Sequence, residues 1–368
     1  MKSKGEKMKG SMLLGMLIML LFGAIISSEK IKYSLQEEPI WKNKKEIVVE
    51  KVLSIGSDNL DEPNYFLGFI TDITVDNDDN LYILDYRNGK ANKYAPDGKF
   101  IISYGNGIGQ GPGEFQHAAD ICVDSQGHVY ISDSDQRKIC VFNSSGKFLT
   151  NFLTEKIAPL YDMLVYRDRR LIFGVDARIS GGWQKGFYQI YSIPEGKFFG
   201  TIGDALTKEN AEIHIGGNSI CIDKKNGNIL ISYAIPYLIE IYSGNLSLVR
   251  RFGRKAPFFE KRSKNIYNNI LSCGSSYQIA SLPDGKIINL IRERISASGE
   301  KSEIKNYLDF FDENGQYLIT IPGEKFKINE KDDFRSITSD NKGYIWAIFE
   351  DPYPHISKYR IRFRDIVN

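Results

Sequence analysis

The sequence predicts an all-β fold, a six-bladed β-propeller of four-stranded antiparallel blades closed by an N-terminal strand. Three observations lead there. Asp72–Asp85 matches Asp120–Asp133 without a gap, and weaker copies follow at the spacing expected of blades. Short apolar segments alternate with Asp-Gly and Asn-Gly turns, the local signature of antiparallel hairpins. No apolar pattern of period 3.6 persists long enough for the helical crossovers that a parallel sheet requires. Composition agrees: 42% hydrophobic residues suffice for a core, and 21 Tyr and 21 Phe beside 6 Met suit half-buried strands.

The N-terminus stands apart. Lys2, Lys4, Lys7 and Lys9 precede an apolar run from Met12 to Ile26, which ends at Ser27-Ser28. A charged start, a short apolar stretch and small residues read as a signal peptide over 1–28, or as an uncleaved membrane anchor. The run is shorter than the ~20 residues of a comfortable span. Either way the Lys cluster stays inside and the rest is expected to be exported: periplasmic, extracellular or held at the outer side of the cytoplasmic membrane. No Cys follows the run to carry a lipid. Residues 29–45 read as a tether and 46–368 as the propeller.

Within the propeller, Glu46–Ile55 has no unit of its own. It sits where a last strand is wanted, and the simplest placement completes the sixth blade and removes an exposed edge. The first unit runs from Asp72 through Ala91–Tyr94, the turn Pro96-Asp-Gly98 and Phe100–Tyr104. The second repeats it from Asp120 through Ile139–Phe142, Ser144-Ser-Gly146 and Phe148–Phe152. Asp162, Ser219, Tyr277 and Ser336 open the third to sixth units.

The stretch Tyr104-Gly-Asn-Gly-Ile-Gly-Gln-Gly-Pro-Gly-Glu-Phe115, with Asp120-Ile-Cys-Val-Asp, Gly127–Asp133, Ile139–Phe142 and Gly146-Lys-Phe, resembles an NHL repeat. The resemblance covers Asp72–Phe152 by motif and the rest by strand rhythm alone. It implies a six-bladed exported propeller in which Asp85 and Asp133 tie turns to backbone amides. Some relatives of this type are metal-dependent lyases or hydrolases, with His and carboxylates over the central channel.

The residues that could carry chemistry are few. The Gly-rich stretch 105–113 lacks the Gly-Lys-Ser/Thr end of a phosphate loop and opens no helix. It reads as a blade connection anchored by Phe115. Asp76–Asn80 offers oxygen ligands for Ca²⁺ but lacks the Gly and closing Glu of an EF-hand, so a solvated turn is expected. Of the four His, His117 and His214 precede first strands in connections on one face. They are the candidate metal ligands of an alternative reading, a Zn²⁺- or Ca²⁺-dependent hydrolase or lyase. A catalytic zinc needs three protein ligands, and no third His sits in an equivalent connection. His128 and His355 are expected at the surface. Cys122 and Cys140 fall on non-neighbouring strands of one blade, so no disulfide is expected between them. No Gly-x-Ser-x-Gly elbow occurs.

The long connections remain. Residues 255–275, with the strand end before them, interleave basic and aromatic side chains. Arg254, Lys255, Phe258, Phe259, Arg262 and Tyr267 are the candidate ligand-binding residues. The function expected is a non-enzymatic binding module that recognises a peptide, protein or glycan through the loops at one mouth of the ring, without a cofactor. The net charge of +2 gives no argument for nucleic acid. A monomer is expected, touching membrane only through residues 12–26 if they stay uncleaved.

Overall fold

The computed structural model describes residues 35–154, 161–174, 185–204, 219–233, 237–259, 262–264, 270–272, 274–295, 303–326 and 334–366. The signal-peptide or anchor segment lies outside them. Among the described residues no helix is long and apolar enough to cross a membrane.

Two strands precede the repeats, β1 (Leu35–Gln36) and β2 (Lys45–Ile55). Blade one is β3 (Ile70–Val75), β4 (Leu81–Asp85), β5 (Lys90–Tyr94) and β6 (Phe100–Tyr104). Blade two is β7 (Ala118–Val123), β8 (Val129–Asp133), β9 (Lys138–Phe142) and β10 (Phe148–Leu153). Blade three is β11 (Tyr161–Tyr166), β12 (Arg170–Gly174), β13 (Lys185–Ser192) and β14 (Lys197–Asp204). Blade four is β15 (Ser219–Ile222), β16 (Ile229–Tyr233), β17 (Leu238–Tyr242) and β18 (Leu248–Arg254). A small hairpin follows, β19 (Arg262–Lys264) on β20 (Ile270–Ser272). Blade five is β21 (Gly274–Ser281), β22 (Ile287–Ile295), β23 (Glu303–Phe311) and β24 (Tyr317–Pro322).

Blade six is β25 (Phe334–Ser339), β26 (Ile345–Phe349) and β27 (His355–Asp365), and its outer strand is β2. The register runs antiparallel from Lys45 opposite Asp365 to Ile55 opposite Ile356. The chain's own beginning therefore closes its last blade, and β27 is left with no free edge. Inner strands touch in the cycle β3, β7, β11, β15, β21, β25 and back to β3, so the ring is complete.

The alternation of side chains explains the apolar second strands. Along β4, Leu81 and Ile83 pack with Trp346 and Ile356 of blade six, while Tyr82 and Leu84 pack with Val129 and Ile131 of blade two. Both faces of a blade are covered by neighbours, so the strand is apolar throughout rather than every second residue. Six such clusters fill the gaps between the six blades. Gly315, at φ +79°, shows what the turns require: a Cβ there would run into the Phe252 ring of the preceding blade.

The part of the tether from Leu35 is laid against the ring. β1 adds in parallel to β18. The Gln36 side chain donates to Gly315 O at 2.8 Å and accepts from Tyr317 N at 2.8 Å. Ile40 and Trp41 amides then bond Tyr317 and Leu318 carbonyls at 3.0 Å. This strap crosses the outer edges of blades four and five before β2 begins.

Candidate functional site at the loop-bearing mouth and channel

The two faces of the ring differ. Short turns link first to second and third to fourth strands: 76–80, 124–128, 223–228, 282–286 and 340–344, then 95–99, 143–147, 243–247 and 312–316. These are stitched across blades. Ser125 N donates to Asp168 at 2.9 Å, Asn341 N to Asp79 at 2.7 Å, Lys224 N to Ser281 Oγ at 2.9 Å, and Ser339 Oγ to Ser281 O at 2.7 Å. The opposite face carries the described connections 56–69 and 105–117, and the strand ends there lead into 155–160, 175–184, 205–218 and 296–302, which lie outside the described residues, as do parts of 255–273 and 323–333.

On that face Asp85 and Asp133 do the work the sequence suggests. Asp85 accepts from Gly68 N at 2.7 Å and from Phe69 N and Asn88 N at 3.1 Å. Asp133 accepts from Gln116 N at 2.7 Å, His117 N at 3.2 Å and Gln136 N at 3.1 Å. Each carboxylate ties an incoming connection to the turn after its second strand, which keeps buried donors satisfied. The Gly-rich stretch is folded back on itself: Asn106 N bonds Gly113 O at 2.8 Å, and Phe115 is buried beneath it.

The inner strands enclose a cavity of about 430 Å³, lined among others by Asp72, Asp120, Asp162, Cys221, Lys224 and Gln278. Asp72, Asp120 and Asp162 come from three consecutive inner strands and hold those strands together. Asp72 Oδ2 accepts from Ile121 N at 3.1 Å, and Asp120 Oδ1 accepts from Met163 N at 2.9 Å. Asp162 takes the Ile220 amide and the Ser219 hydroxyl, and Ser219 in turn accepts from Ile279 N at 3.0 Å. Asp72 and Asp120 also hydrogen-bond each other. Burial, which penalises charge, raises the Asp72 carboxyl to about 6 and the Asp162 carboxyl to about 8. Asp120 is raised well above the usual range by burial and then by the charges of Asp72 and Asp162. A hydrogen bond between two carboxyls needs a proton on one of them, so Asp72 and Asp120 share one when they are so paired. The cluster was missed as a site at the level of sequence, although one signal existed: the three residues head three successive repeat units.

The candidate residues of the basic and aromatic stretch are distributed differently. Arg254 Nε lies 2.6 Å from Asp309 Oδ2, which also accepts from Tyr237 OH at 2.8 Å. The guanidinium sits over the Tyr237 and Tyr317 rings. Phe259 is buried and stacks on Tyr237 at 4.7 Å, with Phe258 stacked on it at 4.8 Å. These three side chains meet in one cluster that joins blades four and five. Lys255 is exposed and ion-pairs with Glu37 of the strap. Arg262 begins β19; Tyr267 lies outside the described residues.

His117 is half-exposed at the loop-bearing face, with Nδ1 3.5 Å from Asp135 and its ring 4.9 Å from Tyr86. His214 lies outside the described residues. Among the described residues no three His, Cys, Asp or Glu groups are placed to hold a metal ion. Two expectations are corrected. His355 is buried, stacked on Phe349 at 5.1 Å, because the chain after 350–354 lays β27 directly along β26. Asp76 is not simply solvated: it accepts from Asn80 N at 2.9 Å and pairs with Lys93 at 2.9 Å. Cys122 and Cys140, on β7 and β9, are free thiols separated by β8.

Several solved structures share this architecture. A member of the DUF4221 family from Bacteroides vulgatus superposes with a TM-score of 0.63 at 11% identity, over 88% of this chain and 99% of that one. A Bacteroides fragilis protein described as exported gives 0.58 at 14% identity, over 90% and 99%. A streptogramin B lyase gives 0.50 at 13% identity, over 86% and 98%. At such identities the likeness is one of fold. No curated protein sequence matches the chain. The family model of DUF5128, described as a 6-bladed beta-propeller, matches residues 64–266, more than half of the sequence. The chain belongs to the DUF5128 family of six-bladed β-propellers.

Proposed function

We propose that this protein is a binding module that takes a peptide, protein or glycan at the loop-bearing mouth of its ring. The asymmetry between the two faces carries this reading. One face carries short turns bonded across blades, and the strand ends at the other are joined by the connections long enough to form a recognition surface. The cavity between the inner strands runs from Asp72, Asp120 and Asp162 to Asn77, Ser125, Lys224 and Asn341, toward the turn-bearing face, so recognition at the loop-bearing mouth rests on the connections themselves.

In this reading the protein acts outside the cytoplasmic membrane as a monomer, with residues 1–28 serving as export signal or anchor. Its first two blades are kin to NHL repeats. Lys255, beside the strap, and the 255–273 connection contribute to the rim, while Arg254 and Phe259 hold that rim in place. Binding without chemical change is the expected behaviour. Screening the full chain by thermal shift against peptides and glycans, with mass spectrometry of every recovered ligand, tests it. Stabilisation with the ligand intact supports the reading; conversion of the ligand overturns it in favour of a hydrolase or lyase.

A further inference from the structure

We propose that the end of blade one at the loop-bearing mouth, between the connections 56–69 and 105–117, docks a polypeptide segment in which aliphatic side chains alternate with Lys or Arg. The inference rests on the binding reading above and names its class of ligand. It adds one defined contact to the rim that the connections of other blades also form.

Three large apolar side chains of these two connections face solvent: Leu60 is 74% exposed, Ile108 65% and Phe66 37%. The turn after β4 sits between the connections. Asn88 Nδ2 donates to Phe66 O at 3.3 Å. The next residue, Gly89, lies so close to the other connection that a Cβ there would come within 2.7 Å of Ile108 N. Phe66 and Ile108 therefore flank one turn, and Leu60 belongs to the tight bend that precedes Phe66. Exposed apolar residues scattered singly are ordinary, whereas several gathered at one loop cluster mark an interaction surface.

Both connections are held by their own bonds, so the patch is preformed. In 56–69, Ser57 N bonds Tyr65 O at 2.8 Å, Glu62 N bonds Asn59 O at 3.1 Å and Phe66 N bonds Glu62 O at 3.0 Å. Tyr65 packs inward, its ring 5.8 Å from that of Tyr94, and Leu60 and Phe66 stay outside. In 105–117, Gly109 N bonds Phe115 O at 3.0 Å and Gln136 Nε2 holds Gly109 O at 2.9 Å. Phe115 is buried there while Ile108 stays outside. Loops ordered before a ligand arrives lose little entropy when it binds.

Charge selects the partner. The connection 56–69 carries Asp58, Asp61 and Glu62, all exposed, and no Lys, Arg or His; 105–117 carries Glu114 and no Lys or Arg. Arg87, exposed on the turn itself with its stem against Gly68, offsets one of these charges. The remaining excess is negative, which draws Lys and Arg and repels an anionic lipid surface. The two most exposed tips are aliphatic, which suits the burial of apolar side chains rather than the hydroxyls of a glycan.

The test is calorimetric titration of the full chain with a capped hexapeptide of alternating Lys and Leu. Its Glu-and-Leu and Lys-and-Ser counterparts, maltohexaose and phosphatidylglycerol vesicles are the comparison probes. Expected are binding of the Lys-and-Leu peptide alone, and affinity about threefold lower when salt rises from about 0.05 M to about 0.5 M. Leu60→Ser with Ile108→Ser should weaken it about tenfold, and Asp61→Asn with Glu62→Gln about threefold. Leu149→Ser with Val249→Ser, which removes exposed side chains from the outer strands of blades two and four, should leave it unchanged. In the unsubstituted chain, amide hydrogen exchange over 57–66 should slow when the peptide is added, a readout that does not depend on the variants folding. Equal binding of the Glu-and-Leu peptide, undiminished affinity in the Leu60 and Ile108 variant, an equal loss in the Leu149 and Val249 variant, or a response to maltohexaose or vesicles alone would each overturn the inference. A chain that ignores the hexapeptide yet binds another peptide, a protein or a glycan overturns this inference only; a chain that binds no such ligand overturns the binding reading as well.

Discussion

Asp120 Oδ1 accepts the amide of Met163 at 2.9 Å, so a carboxyl on the inner strand of blade two holds the inner strand of blade three. Asp72 does the same for Ile121, and Ser219 for Ile279. One repeat position therefore supplies the clasp between successive blades around the channel.

Replacing that clasp separates its two components. Asp120→Ala leaves the buried Met163 amide without an acceptor and should cost about 1–3 kcal/mol. Asp120→Asn keeps an oxygen there and removes the repulsion from Asp72 and Asp162, so its stability should equal or exceed that of the native chain. Urea unfolding at neutral pH decides; an Asn variant weaker than the Ala variant would show that the carboxyl charge itself is needed.

The same cluster sets a pH dependence. The Asp72 and Asp162 carboxyls are raised to about 6 and about 8, so the folded chain binds protons more tightly than the unfolded one. Their contribution is complete below the unfolded carboxyl value of about 3.9 and is lost as pH climbs through those folded values. Stability should therefore fall between about pH 4 and pH 8, and Asp162→Asn should flatten the decline. Denaturant midpoints across that window measure it, and a rise with pH would contradict the assignment.

Asp85→Ala should be among the most damaging single changes on the loop-bearing face. It deprives the Gly68, Phe69 and Asn88 amides of their acceptor at once. A loss of about 3 kcal/mol or more is expected from such a set of donors. Hydrogen exchange at Gly68 and Phe69 should quicken ahead of the global rate. Unchanged protection there would mean the turn is held by something else.

Much of the ring is legible in the sequence, and the reasons are specific. Asp72–Asp85 and Asp120–Asp133 repeat because both faces of each second strand are buried between blades, which forces the same apolar run. Glu46–Ile55 could be placed on blade six because it was a strand without a unit, and the structure pairs it with β27. The strap could not be read, since Leu35–Gln36 is too short for any period and Gln36 meets its partners Gly315 and Tyr317 only in the closed ring. Arg254 offered a basic side chain beside aromatics, but its partner Asp309 lies 55 residues on and is invisible to local pattern. The carboxyl triad was hidden for a related reason: sequence displays its members as repeat markers, while their contact depends on blades being neighbours.

The closing strand is testable by truncation. A chain beginning at Ser57 lacks β2 and exposes the whole edge of β27. It should lose cooperative unfolding and aggregate, as an unpaired edge of that length invites. Adding a peptide of residues 45–55 in trans should restore solubility. A truncated chain that unfolds in one sharp transition at the native midpoint would show that the ring closes without it.

The most direct measurement concerns which face binds. Once a peptide, protein or glycan ligand is identified, its affinity should be titrated for two variants: one with residues 205–218 replaced by a short Gly-Ser link, the other with Lys225 and Asn341, on the turn-bearing face, both changed to Ala. Loss of about tenfold or more in the first and none in the second is the expected result, as for a recognition surface made of loops. Undiminished affinity in the loop variant, with loss in the turn variant, would contradict it.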